Sequence, residues 1–239
     1  MKYNVELGFE NSSFVQDTDL YCFSTDSVIL ANIARIKKTD YVVDLGTGAG
    51  IIAILVSLKR ECKKVLGVDI DERAIALFEE NIKSNSLENK TSALLMDVKE
   101  CHKEIGNGKV DVVLCNPPYY LESSLHGKDA SSKIEDNGSI EDFISAAAKI
   151  LKFDGDLYMV MKTNRLVDVL VLLRQYKLEP KELTYIAHNK NSEPGSFVIK
   201  AKSGGKSGLL TKTLYIENED GTMTDECKKL YEGVRKIDG

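Results

Sequence analysis

At 239 residues, 43% hydrophobic and 29% charged, the chain is long enough for one domain with a core that removes roughly 70–75% of its unfolded surface from water. A net charge of −5 argues against a protein that coats nucleic acid with its whole surface, and the longest apolar run, residues 51–56, is far too short to span a bilayer. The first residues lack the apolar centre of a secretory signal, and the five cysteines form no CxxC pair, so a cytoplasmic protein with reduced thiols and no membrane contact is expected.

Residues 1–40 read as a polar, hairpin-like start followed by a helix over 26–36. From Tyr41 onward, β-rich runs at 41–45, 64–69, 91–96, 110–115 and 155–161 alternate with helical patterns at about 49–59, 72–85 and 139–151. A further helix over 165–175 and β-rich runs at 182–187 and 196–201 follow. The tail reads as a strand over 213–217, a turn at Glu219-Asp220-Gly221 and a short helix. Strands alternating with helices are the signature of a mostly parallel sheet covered on both faces, and neither end is large enough for a second domain. One α/β domain over 1–239 is expected: a leader (1–40), a core (41–202) and an extension (203–239). The polar segment 121–138 is a long loop of the kind that often carries function.

The segment Asp44-Leu45-Gly46-Thr47-Gly48-Ala49-Gly50 puts three glycines between the first core strand and a helix, where a ligand can approach the backbone only if side chains are absent. N–H groups at a helix start favour an anionic or carboxylate-bearing ligand. Asp44 would repel a pyrophosphate but suits the ammonium and sulfonium charges of S-adenosylmethionine, which disfavours a dinucleotide. Asp69 closes the second strand, where an acid can take both ribose hydroxyls; the alternative is a helix N-cap, for which Asp71 is better placed. Asp97 ends the third strand and either reaches an adenine amine or caps the short helix that follows.

The fourth strand ends abruptly in Cys115-Asn116-Pro117-Pro118-Tyr119-Tyr120. Parallel strands present their carboxyl ends to a common crevice, which places this stretch beside the glycine loop. The prolines hold it extended and stiff. The Asn116 side-chain oxygen and the Pro117 carbonyl can accept the two N–H bonds of a planar amine whose nitrogen must pyramidalise as it attacks a methyl group. Each such bond to a developing cation is worth about 1.5–3 kcal/mol. Tyr119 offers a stacking face worth roughly 1–3 kcal/mol for a base. Ordinary turn chemistry, with Tyr119 and Tyr120 packed on the sheet edge, is the alternative. Cys115 reads as a packed strand residue rather than a nucleophile. Between residues 188 and 212, Lys190, Lys200, Lys202, Lys206 and Lys212 stand against Glu193 alone, either a docking face for a polyanion or a solvated one.

The motifs DLGTGAG, GVDID and MD at three successive strand ends resemble those of class I S-adenosylmethionine-dependent methyltransferases. That resemblance implies a Rossmann-like sheet of seven mostly parallel strands, with an antiparallel last strand and helices on both faces. It implies Asp44, Gly46, Gly48 and Gly50 as methionine-side contacts, Asp69 with Ile70 at the ribose, Asp97 at the adenine, and S-adenosylhomocysteine as product. The NPPY signature is similar to that of amino-methyltransferases acting on adenine N6, guanine N2 or a glutamine amide, with Asn116, Pro117 and Tyr119 catalytic and Pro118 beside the substrate. The stretch from Gln16 to Leu30 resembles the leader of the valine-tRNA adenine-N6 methyltransferases, which act on the adenine 3′ of the anticodon. This implies Thr25 and Asp26 over the cofactor; in the tRNA reading Tyr21 and Phe23 are either further walls for the base or core packing against the helix 26–36, and Lys190, Lys200 and Lys202 meet tRNA phosphates. The similarity covers nearly the full length but departs over 129–135.

Rival readings remain at this level. A glutamine-amide methyltransferase of a release factor shares NPPY but carries a helical N-terminal substrate domain, for which residues 1–40 are too short. An rRNA base N-methyltransferase shares the chemistry. A nonenzymatic module binding the cofactor or RNA would not need the amine acceptors. An O-methyltransferase would want a metal or a catalytic His or Lys, and His102, His126 and His188 have no ligand spacing, so no metal is expected. No obligate protein partner is evident.

Overall fold

The computed structural model describes residues 1–5, 7, 12–20, 24–117 and 138–232. The chain opens with an antiparallel hairpin, β1 (Lys2–Val5) and β2 (Phe14–Asp17). Helix α1 (Thr25–Ile33) ends before the expected Ile36, because Ala34 turns to extended backbone and closes the last turn with its N–H on the Leu30 carbonyl. The alternating core follows: β3 (Tyr41–Leu45), α2 (Ile51–Lys59), β4 (Lys64–Asp69), α3 (Glu72–Ser84), β5 (Thr91–Leu95), the short α4 (His102–Ile105) and β6 (Val110–Cys115). After the polar segment come α5 (Ile140–Ile150), β7 (Leu151–Lys162), α6 (Leu166–Gln175), β8 (Leu178–Ala187), β9 (Ser196–Ser203), β10 (Leu210–Tyr215) and α7 (Asp225–Tyr231).

Local chemistry explains the helix starts. Asp71 accepts from the N–H groups of Arg73 and Ala74 and so caps α3, the role anticipated for it. Ser139 and Asp142 form a reciprocal capping box at α5. Helix α2 is apolar on every side, and its residues from Ile51 to Ser57 are all buried.

The main sheet has the order β10-β8-β9-β7-β6-β3-β4-β5. Strands β7, β6, β3, β4 and β5 are parallel, while β9 runs antiparallel to both its neighbours, β7 and β8. Alternate residues feed two cores. Val42, Val112, Leu114 and Val160 pack with residues of α1, α2 and α3, whereas Val43, Leu45, Val113, Cys115 and Met159 pack with α5 and α6. Burial on both faces is why 110–115 reads as nearly unbroken apolar sequence.

The sheet has eight strands rather than seven. The expected tail strand lies at 210–215 and pairs in parallel with β8, Leu210 opposite Glu182 and Tyr215 opposite Ala187. Without it β8 would present an unpaired edge. Strand β8 also starts earlier than expected, at Leu178. Its register shifts between Pro180 and Glu182, because proline supplies no N–H to the ladder. No described helix is long and apolar enough to cross a membrane.

Candidate active site

Strands β3, β4, β5 and β6 end at one edge of the sheet, and a cleft opens there. Gly46, Thr47, Gly48 and Ala49 line it after β3, Asp69 and Ile70 after β4, Asp97 and Val98 after β5, and Asn116 after β6. Phe14, Gln16 and Leu20 from the N-terminal segment, Ser27 from α1 and Phe143 from α5 also line it.

The glycines divide their work. Gly48 has φ +54 and faces open space, so a ligand can approach its backbone. Gly50, at φ +90, does not line the cleft; a side chain there would overlap the Phe78 ring, so its smallness serves packing of α3 against the loop.

Asp69 holds the loop from the neighbouring strand. Its carboxylate accepts from the Gly48 N–H at 2.8 Å and the Asp71 N–H at 3.0 Å, and burial pushes its pKa up. Asp44 lies beneath the loop rather than on the cleft wall. It is fully buried, one oxygen accepts from the Thr47 hydroxyl at 2.7 Å, and the other has no hydrogen-bond partner among the described residues. Burial, reinforced by the charge of Asp69, raises its pKa to about 7, against the opposing bond from Thr47. Asp97 reaches the cleft, where it also accepts from the Lys99 N–H at 2.9 Å in a local turn and pairs with the Lys99 ammonium at 3.2 Å; it does not cap α4, whose N-cap is Cys101 with no side-chain bond. Ile70 leaves an apolar side chain 45% exposed beside the cleft.

Asn116 stands at the end of β6 with its Nδ2–H donated to the Ser27 hydroxyl at 2.8 Å. The neighbouring Cys115 thiol is fully buried and its pKa is pushed far up by burial and by Asp44, which fits a packing residue. Pro118, Tyr119, Tyr21 and Phe23 lie outside the described residues, as does most of the segment 121–138.

Two expected groups sit elsewhere. Thr25 and Asp26 do not line the cleft; Asp26 is buried and takes Lys162 at 3.1 Å and the Ser196 hydroxyl at 2.9 Å. Lys200 and Lys202 pair with Tyr158 and Asp156, on the strand-start side of Met159, the residue level with Cys115. Their ammonium groups meet Asp156 at 3.2 and 3.1 Å, and Lys200 also lies 3.9 Å from Glu182. Two of the five lysines counted along 188–212, Lys200 and Lys202, are therefore offset by acids on adjoining strands. Lys190 is exposed in the β8–β9 turn, in a separate groove with Glu217, Glu219 and Asp220.

Sequence reasoning missed Ser27 and Asn81. The fully buried Asn81 accepts from the Val15 N–H at 2.7 Å and donates to the carbonyls of Val15 at 3.1 Å and Ala49 at 3.0 Å. One turn on, Asn85 bonds both backbone groups of Ser13. Two asparagines four residues apart thus clasp β2 beside the glycine loop. Their spacing on one helix face was the available signal.

The methyltransferase small domain, as a family model, matches residues 23–177. The chain belongs to this family. It is a methyltransferase built on a Rossmann-like sheet. Among curated relatives, this methyltransferase is 22% identical over 220 residues to the tRNA1(Val) (adenine(37)-N6)-methyltransferase of Shewanella woodyi, covering 88% of this chain and 90% of that one. It is 23% identical over 231 residues to the enzyme of the same name from Christiangramia forsetii, covering 95% and 96%. The fold is shared with Atu636 of Agrobacterium tumefaciens, described as a predicted O-methyltransferase, at TM-score 0.73 and 17% identity over 87% of this chain and 96% of that one. It is shared also with a geranyl diphosphate methyltransferase in complex with SAM, at TM-score 0.55 and 11% identity over 74% and 84%.

Proposed function

We propose that this methyltransferase transfers the methyl group of S-adenosylmethionine to the exocyclic N6 amine of an adenine in a tRNA anticodon loop, the adenine 3′ of the anticodon of a valine tRNA. The observation that carries the reading is Asn116, whose carboxamide is held at the strand edge that also presents Gly48, Asp69 and Asp97 to one cleft. The names of relatives that share nearly the whole length support the base and the RNA class.

The residues present fit the cofactor. Gly48 leaves its backbone open, Asp69 and Asp97 offer carboxylates, Ile70 and Val98 offer an apolar shelf, and Asp44 keeps a buried oxygen without a partner below the loop. In this reading Asp69 takes the ribose hydroxyls and Asp97 the adenine amine, Ile70 lies against the adenosine, and Gly46 and Gly48 flank the methionine end, whose positive charge Asp44 offsets from below. Gly50 shapes the loop. When bound, S-adenosylmethionine supplies an electrophilic methyl on a sulfonium.

An aromatic amine is a weak nucleophile because its lone pair is delocalised into the ring. Asn116 Oδ1 and the Pro117 carbonyl accept its two N–H bonds and so favour the pyramidal nitrogen whose lone pair faces the methyl. Positioning supplies most of the rate, and the two acceptors stabilise the cation that develops on nitrogen. No general base is required, since the product ammonium is strongly acidic and loses its proton to water. Tyr119 and Pro118, with Tyr21 and Phe23, serve as stacking walls, and an unpaired anticodon-loop base costs little to unstack. Lys190 is exposed in a turn at the same sheet edge, in a groove it shares with Glu217, Glu219 and Asp220.

Asn116→Ala tests the reading. Turnover on tRNA should fall by about 10²–10³, the scale seen when one preorganised hydrogen-bonding group is removed from a charged transition state, while cofactor affinity by calorimetry stays within a few-fold. Near-normal turnover would remove Asn116 from the chemistry.

A further inference from the structure

We propose that Ser27 is a positioning residue, which fixes the Asn116 carboxamide with its oxygen toward the substrate amine; the proposal rests on the amine-acceptor reading of Asn116. Ser27 is 3% exposed and lies at the cleft wall, and its hydroxyl takes the Asn116 Nδ2–H at 2.8 Å. A carboxamide has nearly the same shape when its oxygen and nitrogen exchange places, so only its partners decide which end faces a ligand. Facing a substrate NH₂, the nitrogen end would set donor against donor. A serine hydroxyl can donate or accept; in this structure it accepts the Nδ2–H, which leaves the oxygen end of the carboxamide for the substrate amine.

The support behind Ser27 is built across the sheet edge. Ser27 lies in the first turn of α1, where its N–H bonds the Ser24 carbonyl at 3.0 Å. Next to it, Asp26 ties the same turn to the end of β7 through Lys162 at 3.1 Å and to the start of β9 through the Ser196 hydroxyl at 2.9 Å. At its other end α1 is strapped to β7, where the Arg35 N–H donates to the Tyr158 hydroxyl at 3.3 Å, and to β8, where the Arg35 guanidinium takes both oxygens of Glu182 at 3.0 and 2.9 Å. A helix held at both ends is a firm anchor for a side chain that must be set within a fraction of an ångström. Asp26 thus belongs to the support of the site and not to its wall.

Ser27→Ala should lower kcat on tRNA about tenfold, the effect of one lost positioning hydrogen bond, with the KM for tRNA and the cofactor dissociation constant within twofold of wild type and an unchanged melting temperature. Ser27→Thr, which keeps the hydroxyl, should recover kcat to within threefold. In the Asn116→Ala background, whose residual turnover is followed with labelled donor at excess enzyme, Ser27→Ala should cause no further loss. Unchanged kcat in Ser27→Ala beside a crippled Asn116→Ala would overturn the proposal and leave the amine-acceptor reading standing. The same tenfold loss in both backgrounds would show that Ser27 acts other than through Asn116 and would also overturn it. Near-normal turnover in Asn116→Ala would instead defeat the reading on which it rests.

Discussion

Asp44→Asn isolates the cost of a carboxylate buried under the glycine loop. In the folded protein the Asp44 pKa is about 7, against an ordinary value of 3.8, so between these pH values the folded state holds a proton that the unfolded state has lost. The stabilisation this gives is fully present below about pH 4 and is lost as the pH rises through 7. At about 1.4 kcal/mol for each tenfold change in proton affinity, wild type should lose about 3 kcal/mol of unfolding free energy through Asp44 between pH 5 and pH 8. An amide cannot ionise, so the variant should lack this slope. The amide nitrogen would take the place of the Asp44 oxygen that has no hydrogen-bond partner among the described residues, which leaves a buried donor unpaired at a cost of about 1–3 kcal/mol that does not depend on pH. The difference in stability between variant and wild type should therefore move by about 3 kcal/mol in the variant's favour from pH 5 to pH 8, measured by urea denaturation of the ligand-free proteins. Parallel pH profiles would refute the assignment of a raised pKa to Asp44.

Asp69→Ala removes the acceptor for the Gly48 N–H, and with it the proposed ribose ligand. Calorimetry should show cofactor affinity reduced about 100-fold, as expected for roughly 3 kcal/mol of charge-assisted hydrogen bonding, and an unchanged affinity would take Asp69 out of the site. Asn81→Leu unpairs Val15 and Ala49 and should release the N-terminal hairpin. Faster proteolytic cleavage within residues 1–20 and at least tenfold weaker cofactor binding are expected; wild-type values for both would show that the clasp is dispensable. Reversing both Lys200→Glu and Lys202→Glu places like charges beside Asp156 and Glu182. The melting temperature should drop by several degrees while the KM for tRNA stays within twofold, and a raised KM at unchanged stability would restore these lysines to the RNA face.

Much of the core was legible because its strands are buried on both faces and their ends carry the motifs. The runs at 41–45, 64–69 and 110–115 coincide with β3, β4 and β6, since short apolar stretches bounded by glycine, proline or acid leave little freedom in where a strand stops. What failed was whatever depends on neighbours distant in sequence. A charge count along 188–212 cannot see Asp156 and Glu182 on adjoining strands, and so it left a polyanion-docking face open where Lys200 and Lys202 are paired with acids. The eighth strand was assigned to a tail because pairing with β8 is not written in its composition. Asp26 was placed over the cofactor on the resemblance of the leader, but only the folded chain shows it turned toward Lys162 and Ser196. Ser27 stood inside that run as one small polar residue, and its partner is 89 positions away.

The account stands most directly on the nucleoside produced. The purified protein, incubated with methyl-labelled S-adenosylmethionine and bulk tRNA, should place the label in N6-methyladenosine when the tRNA is digested and its nucleosides are separated. Label confined to protein, or recovered in guanosine or in no nucleoside at all, would contradict it.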